Sequence, residues 1–412
     1  VTEAWIIDAC RTPRGVGKVG KGALADVHPQ VLGAATLRAL AERNDLDTSI
    51  VDDVIWGCSL QVGTQGGALG RMTALDAGWD TTTSGFTLDR YCGSGITAVN
   101  LAAGMVASGL EGVVVAGGAE MMSSYAENSS KVRHPFMDKG NPHLRELHPQ
   151  SNQGVAADAI ATLEGISRQA LDELGAESQR RAAVAIEEGR FERSLVPVHH
   201  PDGTLALDRE EYPRPGTTAE KLSQLAPSFE AVADIPLDED GRTFRSEILR
   251  RYPDLEIEHV HHAGNSSGVV DGAGALLLAN SEVATANGWT PRARVVAMAN
   301  VGDDPTLMLN APVPATRKVL EKAGMTLDDI DLFEVNEAFA VVVEKYIRDL
   351  GIDREKINVN GGAIALGHPI GATGSMLVGT LLDELERQDL ERGLITMCAA
   401  GGMAPAIIIE RI

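Results

Sequence analysis

The chain has 412 residues, 44% of them hydrophobic and 23% charged, a globular composition that at roughly 100 to 200 residues per domain divides into two to four units. A formal net charge of -22 excludes nucleic acid and an anionic membrane surface as main partners, because both need a positive field. No run reaches the roughly 18 apolar residues of a membrane span, no signal or transit sequence opens the chain, and four cysteines without a CxxC pair propose neither a disulfide framework nor a metal site, so a cytoplasmic protein is expected.

In chain order, residues 36–40 read as helix and residues 51–57 as a loop entering a strand. Residues 86–90 form a short strand, and Cys92 opens a glycine-rich turn, Tyr91-Cys92-Gly93-Ser94-Gly95. The helix that follows, 96–108, is made of small and apolar residues; with few charges on any face it has to be buried. A strand over 112–116 ends in Gly117-Gly118. From about 126 to 255 the pattern stops, and Pro, His and charged residues take over, which reads as an inserted loop domain. Residues 180–251 hold 11 Lys or Arg against 14 Asp or Glu, so most of the acidity lies elsewhere and an anionic ligand would find its phosphate contact here.

The pattern then returns. Residues 316–320 read as helix, 327–333 as a loop into a strand, and 357–360 as a strand entering Gly361-Gly362. A helix over 374–385 and a strand over 394–397, ending at Cys398, complete the second copy. Alternating helices and strands predict an α/β fold with a largely parallel sheet. Two sheets sandwiching shared central helices would bury the uncharged ones, giving a layered α/β/α/β/α body of two similar halves. The expected division is 1–125 with 256–275 as the first half, 126–255 as the loop domain and 276–412 as the second half.

Three segments carry chemistry. Strand, Cys92, Gly-x-Gly and helix place a sulfur at a helix N-terminus, where free N–H groups favour a thiolate and an oxyanion; the plain alternative is a small buried hydrophobe. His368, in the glycine-rich stretch 361–374, can reach a sulfur as base or act as a packing or capping residue. Cys398 ends a strand that the repeat pairs with the one ending at Gly117-Gly118, so both should open on the ligand-binding face at the strand ends. Asn336 follows an apolar strand and either polarises an oxyanion or caps a helix. Cys10 and Cys58 are assigned to packing.

Over essentially its whole length the chain resembles the thiolases. Asn336-Glu337-Ala338-Phe339 is similar to the family's NEAF motif, residues 361–374 to its GGAIALGHPIGATG block, and Cys398 to its terminal cysteine, with 32 residues from Asn336 to His368 and 30 from His368 to Cys398. The resemblance implies that Cys92 is the acylated nucleophile, His368 its base and Cys398 the acid/base at the acetyl carbon. It implies one oxyanion site from Asn336, through a water, with His368, and a second from the backbone N–H groups of Cys92 and Ala400. Ser267, in a turn like AGNASG, would lie beside the pantetheine arm, and Arg214 would contact the nucleotide. Coenzyme A and acyl-CoA are then substrates, no cofactor is held permanently, and a homodimer or homotetramer is expected.

The departures bear on the acyl group. Ala400 stands where glycine is usual, residues 153–158 (Gln-Gly-Val-Ala-Ala-Asp) replace Met-Gly-x-Thr-Ala-Glu, and extra residues lie between Phe229 and His262; longer or bulkier 3-ketoacyl chains are expected. A decarboxylating ketoacyl synthase-like enzyme and a non-catalytic lipid carrier are the competing readings. The first needs no cysteine at 398, and the second would lose part of the Cys92, His368 and Cys398 set.

Overall fold

Period-two alternation along the strands decides which way each half faces. The computed structural model describes residues 2–125 and 137–412; residues 126–136 of the expected loop domain lie outside that range. The strands used below are β1 (Ala4–Arg11), β2 (Asp53–Gly57), β3 (Phe86–Leu88), β4 (Val113–Met121), β5 (Val270–Asn280), β6 (Ala293–Gly302), β7 (Leu332–Val335), β8 (Arg392–Thr396) and β9 (Met403–Arg411). They follow one another as β3-β2-β4-β5-β1-β6-β9-β8-β7, and with the two-residue strand Gly15–Val16 on β5 they make a ten-stranded sheet among the described residues. The order is the same in both halves when read outward from β1 and β6. Where β3 would have its counterpart, Ile357 makes a single bridge to Phe333.

The two sheets expected from the repeat are joined edge to edge, through only two residue pairs, Trp5–Arg294 and Ile6–Ala293. Parallel pairing is confined to β2 with β3 and β4, and β7 with β8. The other neighbours run antiparallel, so the sheet is mixed and not largely parallel. The reason is local: Cys398 to Gly402 is a hairpin that sends β9 straight back along β8, and β5 returns in the same sense after the loop domain.

Helices α1 (Pro29–Arg43) and α2 (Leu69–Asp76) cover one face of the first half, while α3 (Ser94–Ser108) covers the other. Val54, Trp56, Val113, Val115 and Leu277 face the first pair, and their neighbours Ile55, Val114, Ala116, Leu276 and Leu278 face α3, as alternation requires. Among helices not yet named, α4 (Gln153–Leu163) and α5 (Arg168–Glu187) belong to the loop domain and α6 (Pro312–Ala323) and α7 (Ala340–Leu350) to the outer face of the second half. The last, α8 (Ile370–Gln388), packs its Leu377, Val378 and Leu381 with α3 against Ile395, Ile407 and Ile409 of the second half. The layers are therefore helix, sheet, helix, sheet, helix, with α3 and α8 shared in the middle.

Those two helices meet through glycines. A Cβ on Gly374 would stand 2.2 Å from the Ile96 nitrogen, and one on Gly95 would stand 2.7 Å from the Ser375 nitrogen. Backbone cannot yield as a side chain can, so only glycine lets the two N-terminal ends come together. The strand expected over 357–360 is reduced to the single bridge because Asn358 takes a φ of +48° and Gly361 one of +75°. The expected boundary at 275/276 falls inside β5, which pairs with β1 and β4 throughout; we propose that the first half extends to Asn280.

Candidate active site

The turn at Cys92 is strained and then clamped. Tyr91 lies in the left-handed region at φ +50°, a conformation that costs a non-glycine residue about 1–3 kcal/mol. Three hydrogen bonds hold it: Tyr91 N–H donates to Asp89 Oδ1 at 2.6 Å, Arg90 N–H to Ser94 Oγ at 2.9 Å, and Ser94 Oγ–H to the Tyr91 carbonyl at 2.6 Å. The chain thereby leaves β3, turns sharply and enters α3 with Gly93 as the capping residue. Cys92 sits at that corner, buried, its own amide N–H beside its sulfur.

His368 is delivered by the same device in the second half. Gly367, at φ +96°, leaves no room for a side chain, since a Cβ there would meet Val270 at 2.3 Å. His368 N–H donates to the Gly268 carbonyl at 2.8 Å, and Glu120 Oε2 accepts from Gly371 N–H at 2.8 Å. Glu120 also accepts from the N–H groups of Ser59 and Leu60, so one buried carboxylate ties the loop after β2 to the start of α8. On the ring, Nδ1 lies 2.7 Å from Thr373 Oγ1, whose hydroxyl donates to the Pro369 carbonyl at 2.9 Å. With its proton committed, Thr373 can only accept, which places the imidazole proton on Nδ1 and leaves a lone pair on Nε2. That Nε2 is buried and has no partner among the described residues.

Cys398 follows β8, fully buried, in a turn closed by Ala399 N–H to Met403 O at 2.7 Å and by left-handed glycines 401 and 402. Its thiol is pushed up by burial first and then by the neighbouring Cys92 sulfur. A Cβ on Gly93 would stand 3.4 Å from the Ala399 Cβ, so the two cysteine turns are in contact. The Ala400 N–H has no acceptor among the described residues, although buried N–H groups are nearly always paired. Asn336 is 1% exposed and both its carboxamide atoms are unpartnered. The capping alternative for Asn336 does not hold, because α7 begins four residues later with Phe339 as its capping residue.

Burial decides the charge state. A helix N-terminus is worth at most about 2 kcal/mol to an anion, some 1.5 pKa units, whereas full burial moves a group by up to 3–5 units. Accordingly the Cys92 thiol is pushed up to about 12, by desolvation and then by the Glu120 charge, against opposing hydrogen bonds from its own amide and from the Gln153 side chain. Desolvation and the Arg14 charge hold His368 down at about 3. The resting pair is a neutral thiol and a neutral imidazole, so the thiolate expected at the helix end forms only when the base takes its proton. Alkylation of Cys92 is therefore expected to rise about tenfold per pH unit from roughly pH 6 to 9; a plateau in that range would reveal a preformed ion pair.

Arg214 and Ser267 are brought to one side of the site. The Arg214 guanidinium stacks 5.7 Å from the Tyr212 ring centre at the surface. Tyr212 in turn fills the space beside Gly268, where a Cβ would touch its ring at 2.2 Å. Ser267 is half-buried and its N–H donates to the Ala338 carbonyl at 2.9 Å. A line thus runs from Arg214 at the surface through Tyr212 and Gly268 to His368. Among the described residues no group of three or more His, Cys, Asp or Glu could hold a metal ion.

Several supporting residues escape sequence reasoning. Glu120 and Thr373 position the His368 loop, and Glu337 accepts from Ser178 Oγ at 2.6 Å, Ile364 N–H at 3.1 Å and Asn358 Nδ2 at 3.1 Å. Asp158 accepts from the ring nitrogens of His259 and His261, both at 2.7 Å, and so pins the returning end of the loop domain to α4. Of these, Glu337 and Thr373 stand inside the segments 336–339 and 361–374 that the sequence singles out, whereas Glu120 and Asp158 carry no such mark. Cys10 packs in the core under α1, and Cys58 lies with its Sγ 3.7 Å from Glu120 Oε1.

Residues 4–235 match the model "Thiolase, N-terminal domain" and residues 289–411 match "Thiolase, C-terminal domain". The chain is 39% identical to the steroid 3-ketoacyl-CoA thiolase FadA6 of Mycobacterium tuberculosis, over 100% of this chain and 95% of that one. It is likewise 39% identical to the 3-ketoacyl-CoA thiolase of Cronobacter sakazakii, over 99% of each. Its fold superposes on the crystal structure of the Bacillus anthracis acetyl-CoA acetyltransferase with a TM-score of 0.83 at 33% identity, covering 100% and 99% of the two chains.

Proposed function

This chain belongs to the thiolase family, and from that premise we propose how its residues divide the coenzyme A-dependent cleavage of a 3-ketoacyl-CoA, and the reverse condensation. Nε2 of His368 takes the proton of Cys92, whose sulfur attacks the 3-keto carbon. The C2–C3 bond breaks, and its electron pair, held as the enolate of acetyl-CoA, receives the proton of Cys398. The imidazolium proton is relayed to the Cys398 thiolate; free coenzyme A then gives its thiol proton to the neutral His368 and takes the acyl group, and Cys92 recovers that proton as the thioester bond to it breaks. The carboxamide of Asn336, through a water, and Nε2 of His368 face one oxyanion; the N–H groups of Cys92 and Ala400 face the other.

The observations that carry this division are the buried, unpartnered polar atoms, Nε2 of His368 and both ends of Asn336, and a Cys92 sulfur close enough to Cys398 to oppose its ionisation. Burying such atoms without partners costs about 1–3 kcal/mol each, which a fold tolerates where a ligand supplies the bonds. Incubation with 3-ketoacyl-CoA and coenzyme A, following loss of the enolate absorbance, is expected to show thiolysis; a chain that forms no acetyl-CoA overturns the reading.

Coenzyme A approaches along Arg214 and Ser267. The acyl group is longer or bulkier than acetoacetyl: the residues between Phe229 and His262 fold over the site, with Tyr252 OH donating to Asp304 Oδ2 at 2.7 Å and Asp303 N–H bonded to the Gly402 carbonyl. A relative named for steroid substrates points the same way. A cytoplasmic location fits four free, buried cysteines, which a reducing compartment maintains, and a homodimer or homotetramer is proposed from the family resemblance alone.

A further inference from the structure

The first turn of a loop-domain helix packs into the cluster that holds Cys398 and borders Tyr91, next to Cys92 in the chain. Helix α4 begins at Gln153, and its entry is fixed by Asn152 Oδ1, which accepts from Gly154 N–H at 2.9 Å. Gly154 carries no side chain because the Phe229 ring occupies that space, only 2.2 Å from where a Cβ would stand. Phe229 meets Phe339 edge-on at 5.8 Å, and Phe339 shares one apolar cluster with Val155 of α4, Cys398 and Ala400. The first turn of α4 is thus wedged against the reacting groups. From it the half-buried Gln153 side chain comes close enough to the Cys92 thiol to favour its anion, against the burial that pushes the thiol up.

We propose that Gln153 is a further catalytic residue, its carboxamide N–H donating to the Cys92 sulfur whenever that sulfur carries negative charge. The proposal rests on Cys92 being the acylated nucleophile. In the cycle above the sulfur is an anion twice: when His368 removes its proton before attack, and when coenzyme A, its own proton given to His368, bonds to the acyl carbon and the bond from that carbon to Cys92 breaks. At both moments the sulfur sits at the N-terminal corner of α3, and Gln153 is the side chain that favours its anion there. A carboxamide suits both states, because its oxygen can accept from the thiol and its nitrogen can donate to the thiolate.

The test reads Cys92 alone and needs no turnover. Gln153→Met keeps the length of the side chain and removes the donor; Gln153→Glu keeps its shape and replaces the donor with a carboxylate. Iodoacetamide labelling at pH 8, quantified by mass on the peptide containing Cys92, is expected to fall about tenfold in Q153M, the loss of one hydrogen bond to a charged group. Labelling in Q153E is expected to fall at least as far, since the carboxylate opposes the thiolate. A merely structural role for Gln153 would loosen the site and speed labelling. Wild-type or faster labelling in either variant overturns the proposal. Labelling that falls in a protein without thiolysis would leave this inference standing and sink the functional reading, so the two fail separately.

Discussion

Cys92→Ser is expected to form no acyl-enzyme and to lose thiolysis by about 10⁴-fold or more, the scale seen when a covalent nucleophile is removed. The fold should survive, because serine is slightly smaller than cysteine and the corner is held by Asp89, Arg90, Tyr91 and Ser94 without help from the sulfur. The chemistry should not. A neutral His368, held at about 3, is a weak base; it can take a proton from a thiol whose anion is polarisable and supported by a helix end, and much less readily from an alcohol. Mass measurement after incubation with acyl-CoA is the check: the wild-type protein gains one acyl group on the peptide carrying Cys92, and the variant gains none. An adduct of equal extent in the variant would remove Cys92 from the mechanism.

The repeated halves are legible in the sequence because each is a run of local signals. Strand alternation, an uncharged helix and a glycine-rich turn recur in the same order, and α3 and α8 lie where residues 96–108 and 374–385 suggest, the second beginning four residues earlier. What the sequence hides is non-local. Nothing near Glu120 announces that its carboxylate will bind the Gly371 N–H 251 residues away. Thr373 fixes the His368 tautomer only because Pro369 offers a carbonyl in the same turn. The charge state of Cys92 is misjudged for a related reason: a helix end can be read from residues 93–108, while the depth of burial depends on Cys398, α4 and α8 packing around it. Strand sense was likewise hidden, since the antiparallel return of β5 depends on a path through the loop domain that no local pattern encodes.

Cys398→Ser is expected to separate two reactions that Cys92→Ser removes together. Acyl exchange between coenzyme A and a thiol analogue of the pantetheine arm uses only Cys92, His368 and the oxyanion donors, so it should persist within about tenfold of wild type, the range of modest disturbance to a neighbouring group. Cleavage of the C2–C3 bond in addition needs a proton delivered to carbon, and it should fall by about 10²–10⁴-fold, the usual worth of a positioned general acid. The placement of Cys398 explains the difference. It is fully buried at the end of β8, in a turn touching that of Cys92, and both burial and the Cys92 charge oppose its ionisation. A thiol so placed keeps its proton until a carbanion forms beside it. Once that proton is given up, the same burial makes the thiolate a strong base for the reverse step, in which it deprotonates acetyl-CoA. Serine fits the space but is a far weaker acid, so the enolate would wait for a slower proton donor. Following isotope exchange into coenzyme A alongside acetyl-CoA release from a 3-ketoacyl-CoA measures both rates in one protein. Equal loss of the two would mean that Cys398 shapes the pocket and does not move the proton.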